Sequence, residues 1–167
     1  YIQIGFILAS CGSNGTNSVN KTVAKVYDPF TFDFPLNMNF AIELDSGYAK
    51  EVRIGNYEVN GFVDSDKRKQ GYWTIKDKTS GVIYKGHFKN DQKSEWWEAY
   101  EANKLLCLGR FTRDRKVGCW KFFNKLVNER YCINFVNDTL QGIAMIYSLD
   151  STLLLEGTFV NNTASDY

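Results

Sequence analysis

A Gly-x-aromatic motif returns at nearly constant spacing through the second half of this chain, and this period constrains the fold more than any single residue does. The aromatic residues of the motif are Phe88, Phe111, Phe135 and Phe159. Their intervals are 111 − 88 = 23, 135 − 111 = 24 and 159 − 135 = 24. The position two residues earlier holds Gly86, Gly109, Ile133 and Gly157. A period of roughly 20–50 residues is typical of repeat architectures, so the sequence predicts stacked copies of one small unit.

Each unit carries a second set of anchor residues after its motif aromatic. Nine residues on stand Trp97 and Trp120, with Ala144 in the third unit. The glycines two residues before this position and the aromatic residues three after it are Gly118, Gly142, Tyr100, Phe123 and Tyr147. Glu95 takes the glycine's place in the unit of Phe88. Counting back 24 residues from Trp97 reaches Trp73, which indicates an earlier unit that we expect to open at Gly55-Asn56-Tyr57.

Turn-forming residues separate the anchor residues. They are Lys89-Asn90-Asp91-Gln92, Thr112-Arg113-Asp114-Arg115, Val136-Asn137-Asp138-Thr139 and Val160-Asn161-Asn162. Asn and Asp tolerate the left-handed backbone and bond their own main chain, so such clusters between aromatic and β-branched segments predict hairpins. A glycine opposite an aromatic residue would let the ring lie flat over the neighbouring strand. The sequence therefore predicts an all-β fold, an antiparallel meander sheet built from ~24-residue β-hairpin repeats.

A helix over residues 95–108 is the competing interpretation of one segment. Its sister segment 118–123 begins with glycine and contains adjacent aromatic residues, which favours strands for both.

These anchors resemble the MORN repeat, most closely its bacterial variant form. The best single copy runs from Gly109-Arg110-Phe111 through Gly118-Cys119-Trp120 to Phe123. The resemblance covers about residues 55–163, and it departs from the pattern at Ile133 and Ala144. It implies a single-layer antiparallel sheet used in protein or membrane association, and it implies no chemistry. The alternative is an unrelated all-β meander with coincidental spacing.

The start of the chain is apolar and reaches a cysteine through small residues. The run Leu8-Ala9-Ser10-Cys11 resembles the lipobox of bacterial lipoproteins, in which the cysteine becomes the acylated N-terminus. This resemblance implies that residues 1–10 end a signal peptide and that Cys11 is the lipid attachment site. Residues 11–30 would then form a flexible tether and 31–54 a capping β segment before the repeats at 55–163. The alternative for residues 1–11 is a buried first strand.

Charge is balanced overall at +1 but is unevenly distributed. Residues 104–130 contain eight basic and two acidic residues, so that 8 − 2 = +6, whereas residues 131–167 contain four acids and no Lys or Arg. The balance predicts no nucleic-acid partner. An anionic surface or acidic partner could bind the basic segment through Arg110, Arg113, Arg115 and Lys116. The alternative is an ordinary solvated face.

Three further cysteines follow Cys11. If a hairpin turn centres near Lys125-Leu126, facing residues sum to 251, and 119 + 132 = 251 places Cys119 opposite Cys132. That pair could oxidise in an exported protein, or the two side chains could be small buried hydrophobes. Cys107 would remain free. No spacing of Cys or His residues predicts a metal site, and no cofactor is expected.

The sequence predicts no enzyme. His87 is the only histidine, and no catalytic triad, phosphate loop or Cys-His pair is present. The main hypothesis is a bacterial envelope lipoprotein whose repeat sheet is an interaction scaffold for an unknown protein partner or a membrane surface. One alternative is a soluble antitoxin or immunity-type protein. Another is a carbohydrate-binding surface protein using Trp96, Trp97 and Glu98.

Overall fold

Eleven strands form one antiparallel sheet in a computed structural model that describes residues 46–124 and 128–166. Each strand pairs with the strand that follows it in the chain, and the described residues contain no helix. The strands are β1 Gly47–Ile54, β2 Tyr57–Val63, β3 Lys69–Asp77, β4 Ile83–Lys89, β5 Gln92–Glu101, β6 Lys104–Thr112, β7 Arg115–Asn124, β8 Glu129–Val136, β9 Thr139–Ser148, β10 Leu153–Val160 and β11 Thr163–Asp166. The predicted all-β meander of hairpins is therefore confirmed.

The beginning of the chain carries several predictions that lie outside the described residues. These are the signal-peptide end at 1–10, the lipid attachment site Cys11, the tether at 11–30 and most of the capping segment at 31–54. Only the last part of that segment is described, and it forms β1.

Two-residue turns close the predicted hairpins. Thr112 pairs with Arg115 across Arg113 and Asp114, whose φ angles are 50° and 63°. Both central residues also have positive φ at Asn90-Asp91, Asn137-Asp138 and Asn161-Asn162. Two successive left-handed residues match the right-handed twist of the flanking strands, which is why Asn and Asp are favoured there. Residues 95–108 lie within β5 and β6 and the turn between them, so this segment is not helical.

Strand alternation divides the sheet into an inner face, defined by Trp73, Trp97 and Trp120, and an outer face, defined by Tyr72 and Trp96. The three inner tryptophans are 0% exposed. Cross-strand pairing places them in a row with the motif glycines. The row reads Gly61, Trp73, Gly86, Trp97, Gly109, Trp120, Ile133, Ala144 and Gly157.

The glycines of this row are required because an indole ring covers each of them. A β-carbon at Gly109 would lie 2.0 Å from the Trp120 ring, and one at Gly61 would lie 2.0 Å from the Trp73 ring. The expectation that rings lie flat over neighbouring backbone is confirmed. In the third unit the glycine and tryptophan of this pair are replaced by Ile133 and Ala144, which pair with each other across the strands.

The predicted opening of the earliest unit at Gly55-Asn56-Tyr57 is wrong. Gly55 begins the turn between β1 and β2, where Ile54 pairs with Tyr57. Gly61 is the glycine that lies beneath Trp73. The sequence misled here because position 63, which holds the motif aromatic in later units, is a valine.

Neighbouring hairpins are joined through their turns, a feature that sequence analysis missed. The Oδ1 atom of Asp114 accepts a hydrogen bond from Lys93 N at 2.8 Å, while Asp114 N donates to Lys93 O at 3.0 Å. The same reciprocal pair joins Asp91 to Lys69, Asp138 to Lys116 and Asn162 to Leu140. Each turn residue therefore satisfies main-chain groups of the preceding hairpin, which fixes how consecutive units stack.

The register between β7 and β8 differs from the predicted one. Cys119 pairs with Asn134 and Cys132 pairs with Lys121, because the strands close at Asn124–Glu129, which centres the connection one residue later than expected. Cys119 and Cys132 nevertheless form a disulfide, with their Cα atoms 5.8 Å apart. They are diagonal neighbours on the outer face rather than a directly facing pair. Cys107 is free and buried.

Candidate interaction surface

The inner face is filled by the protein's own side chains. The motif phenylalanines pack edge-on between the tryptophans. The ring centroids of Phe88 and Trp97, for example, are 5.1 Å apart, and the two ring planes make an angle of 86°. Such T-shaped contacts are the favoured geometry of aromatic pairs. The same arrangement joins Phe88 to Trp73, Phe111 to Trp97 and Trp120, and Phe135 to Trp120.

Buried lysines complete this packing. Lys93 is 2% exposed, and its Nζ lies 5.2 Å from the Phe111 ring centroid and 3.6 Å from Asp114 Oδ1. Lys69 stands in the same relation to Phe88 and Asp91. A buried ammonium needs a carboxylate or an aromatic face to offset its lost hydration, and each of these lysines has both. The inner face of these units is therefore closed to a ligand.

Repeat anchors predicted from the sequence divide between the two faces. Phe88, Phe111, Phe135 and Phe159 are buried on the inner face with Trp97 and Trp120. Tyr100, Phe123 and Tyr147 lie on the outer face, since their neighbours Ala99, Phe122 and Ile146 belong to inner rows. Gly118 and Gly142 adopt φ angles of 69° and 85°, and Glu95 adopts 59° at the equivalent place.

The outer face exposes large aromatic side chains over β1 to β5. Tyr48 is 82% exposed, Tyr72 54% and Trp96 56%. Sequence analysis missed Tyr48 and Tyr72 as surface residues. The adjacent aromatic pairs Tyr72-Trp73 and Trp96-Trp97 could have indicated these exposed rings, because consecutive strand residues point to opposite faces of the sheet. The hypothesis that Trp96 and Trp97 act together on a carbohydrate is wrong for Trp97, which is fully buried.

Polar groups lie among these aromatic residues. Tyr100 Oη donates a hydrogen bond to Glu98 Oε2 at 2.9 Å, and Lys85 Nζ lies 4.9 Å from the Tyr100 ring. Burial of the phenol, followed by this hydrogen bond to Glu98, raises the pKa of Tyr100. Desolvation likewise raises the pKa of Tyr72. Both phenols therefore stay neutral at ordinary pH and keep a hydroxyl proton that can be donated in a hydrogen bond.

His87 lies beside Tyr72 and Glu95. The centroids of the His87 and Tyr72 rings are 5.3 Å apart, and His87 Nδ1 lies 3.8 Å from Glu95 Oε2 without a hydrogen bond to any described residue. Burial raises the pKa of the Cys107 thiol, so this cysteine stays protonated. Neither group is arranged as a nucleophile or general base.

The predicted basic surface is split by strand alternation. Arg110, Arg113 and Arg115 are exposed on the outer face or its adjoining turn. Lys116 belongs to the inner face, where its Nζ lies 5.4 Å from the Phe135 ring and 5.8 Å from the Trp120 ring. The four cations therefore do not share one face, because the Lys116 ammonium packs against rings of the inner face.

The described residues contain neither a cluster of metal ligands nor a membrane-spanning helix. No group of three or more His, Cys, Asp or Glu side chains there could hold a metal ion. That part of the chain also has no helix long and apolar enough to cross a membrane.

Comparison with known proteins gives no family assignment. No family model matches this chain, and no curated protein matches it at a significant level.

Proposed function

We propose that this protein is a non-enzymatic scaffold of the bacterial cell envelope that is anchored through a lipidated Cys11 and binds a protein partner with the outer face of its sheet. The observation that carries the proposal is the difference between the two faces. Trp73, Trp97 and Trp120 are enclosed on one face, whereas Tyr48, Tyr72 and Trp96 are exposed on the other. A soluble domain rarely exposes clustered large rings unless they take part in binding.

The chemistry of the exposed face suits a protein partner. Tyr, Trp and Arg are the residue types most often found at the energetic centre of protein interfaces. Tyr72 pairs with His87 on β4, and Trp96 pairs with Arg110 on β6, so Tyr72, Trp96 and Arg110 share the outer face between β3 and β6. The main chain of the sheet is held in place by continuous hydrogen bonding between strands. Because the binding face is already ordered, less conformational entropy is lost when a partner binds.

The envelope location rests on the N-terminal resemblance and is supported by the disulfide. Leu8-Ala9-Ser10-Cys11 is the sequence feature that suggests acylation. The Cys119–Cys132 disulfide fits an exported protein, because such bonds persist in oxidising compartments. The resemblance to bacterial MORN repeats supports an association role in the same way.

Site-specific photocrosslinking in the source bacterium would test the binding face. A benzoyl-phenylalanine at position 96 should give a discrete adduct with one protein. The same residue at Leu155, which is exposed on the inner face, is the matched control and should give none. Equal adducts from both positions, or none from position 96, would contradict the proposal.

Membrane anchoring needs its own experiment. Protein expressed from the full native gene should fractionate with membranes and show a mass consistent with cleavage before Cys11 and added acyl chains. Cys11→Ala should abolish both, while Ser13→Ala should change neither. An unprocessed, soluble wild-type protein would reject the anchor and leave the binding face to be judged by the crosslinks alone.

Carbohydrate binding is a second candidate function that one observation favours. Trp96 and Glu98 lie two residues apart on the same strand and therefore on the same outer face, close to a tyrosine that hydrogen-bonds Glu98. An exposed indole beside a carboxylate can stack on a sugar ring and bond its hydroxyls. Affinity electrophoresis with soluble bacterial polysaccharides would detect this, and Trp96→Ala should remove any retardation.

A further inference from the structure

A second feature of the outer face is an open depression in the C-terminal half of the sheet. It lies over β6 to β9 and the turn after β9, and it has a volume of about 440 Å³. Its walls include Leu108, Lys121, Phe123, Arg130, Tyr147 and Ser151. Small-molecule sites are mostly apolar concavities of roughly 300–1,000 Å³ with a few placed polar groups. This depression has that size and that mixture of side chains.

Two cations meet in this depression. Lys121 pairs across the strands with Cys132, and Arg130 lies two residues before Cys132 on β8. Lys121 and Arg130 therefore stand in the same diagonal relation as Cys119 and Cys132, whose Cα atoms are 5.8 Å apart. The strand pairing thus brings two positive side chains next to each other on one face.

No described carboxylate neutralises this pair. Neither Lys121 nor Arg130 forms a salt bridge with any described residue. Asp150 is the acidic residue of the adjoining turn, but its carboxylate accepts hydrogen bonds from Ser148 Oγ and from Thr152 N. Like charges held close together in an apolar surrounding favour the arrival of an anion.

The guanidinium of Arg130 is already positioned. Its Nη2 donates to Ser148 O at 3.3 Å, Leu149 O at 3.2 Å and Ser151 Oγ at 2.6 Å, which holds the group against the turn. Its buried Nε has no hydrogen-bond partner among the described residues. Buried donors are ordinarily satisfied, and an unpaired one in a native structure calls for an acceptor.

We propose that this depression binds a small organic acid, namely a carboxylate attached to an aromatic or branched apolar body. The carboxylate lies between Lys121 and Arg130, where a fixed guanidinium and an ammonium recognise it. The apolar body lies against Leu108, Phe123 and Tyr147. This site is separate from the rings of β1 to β5 and does not depend on a protein partner or on a lipid anchor.

Titration of the full chain with two matched probes tests the proposal. The probes are 2-naphthoate and 2-naphthalenemethanol, which share the ring system and differ in charge. Amide shifts in ¹⁵N spectra should saturate with naphthoate and map to the strands around Lys121, Arg130 and Tyr147. The uncharged alcohol should bind more weakly by roughly threefold or more.

Variants separate a built site from general adsorption. Lys121→Gln should weaken naphthoate binding by roughly threefold to fivefold, in the range given by an exposed ion pair. Lys76→Gln is the control, since Lys76 is an exposed lysine on β3 of the same sheet. Arg130→Lys, which keeps the charge but loses the planar fork, should weaken binding without altering the spectrum of the free protein elsewhere.

Several outcomes would overturn the proposal. They are equal affinity for the acid and the alcohol, shifts that map to Tyr72 and Trp96 instead, or unchanged affinity in Lys121→Gln. The Lys121 variant keeps the proposal falsifiable even if Arg130→Lys disturbs the turn that its guanidinium holds.

Discussion

Trp97 lies so close over Gly86 of the neighbouring strand that a β-carbon at position 86 would come within 2.1 Å of the indole ring. The indole is fully buried, and its Nε1 donates a hydrogen bond to His87 O at 3.0 Å. The main chain of one strand therefore serves as the packing surface for a ring from the next. A single-layer sheet can bury large rings in this way without a second layer.

Gly86→Ala should destabilise the protein by about 1–3 kcal/mol, the usual cost of overpacking a filled core. The added methyl group would force the Trp97 ring or the strand to move. Urea unfolding followed by circular dichroism would measure the change. In a Trp97→Ala background the same substitution should cost much less, because the ring is gone. Equal costs in both backgrounds would show that the indole is not the reason for the glycine.

Ala144→Trp tests whether the third unit can be returned to the pattern of the others. The single substitution should destabilise, because Ile133 faces Ala144 and leaves no room for an indole. When Ile133→Gly is added, the new indole would lie between two glycine positions, 133 and 157, in the way that Trp97 lies between Gly86 and Gly109. We expect a favourable coupling of about 1–3 kcal/mol between the two changes. Additive effects in thermal unfolding would contradict it.

Glu95→Gly should stabilise the protein by about 0.5–1 kcal/mol. Glu95 has a φ of 59° at a place where the other units have glycine, and a left-handed residue with a β-carbon costs roughly 1–2 kcal/mol. Part of that gain is offset by the greater flexibility of glycine in the unfolded chain. Glu95→Ala is the control, since it removes the carboxylate but keeps the β-carbon. A gain in Tm with alanine equal to that with glycine would argue against backbone strain.

Asp114→Ala should destabilise by about 2 kcal/mol, because it removes the acceptor of Lys93 N and the carboxylate beside the buried Lys93 ammonium. Asp114→Asn should cost clearly less, since an amide oxygen can replace the hydrogen bond to Lys93 N. Asn162 already does this for Leu140, with Oδ1 2.7 Å from Leu140 N. Denaturant unfolding of the three proteins would compare them. An asparagine variant as unstable as the alanine one would assign the main effect to charge.

Much of the fold could be predicted from the spacing of aromatic residues and from the Asn and Asp pairs. The hairpin turn at Asn137-Asp138 follows from local chemistry, since these residue types accept a left-handed backbone. The register between Cys119 and Cys132 could not be derived, because it depends on where the connection between Asn124 and Glu129 is centred, and no adjacent Asn-Asp pair marks that point. The glycine of the earliest unit was predicted at position 55, whereas the structure places it at 61. Position 63, two residues later, holds valine and not the aromatic residue that marks the motif in later units.

The candidate surface could be predicted only in part. Period-two alternation determines that Trp96 and Trp97 point to opposite faces, but nothing in the two residues says which face is enclosed. For the same reason, the sequence did not show that Lys116 and Arg110 lie on opposite faces of the sheet. Lys116 lies against rings supplied by Trp120 and Phe135, and only the folded sheet brings the second of these beside it.

By itself, the sequence determined that this chain is built from β-hairpin repeats of about 24 residues each, because the repeat period, the turn chemistry and the glycine positions are local properties. Tertiary structure alone decided which face is filled, how each turn joins the preceding hairpin, and that Lys121 and Arg130 meet in one depression. These relationships arise between strands that are distant along the chain, and they depend on a register that no local pattern specifies.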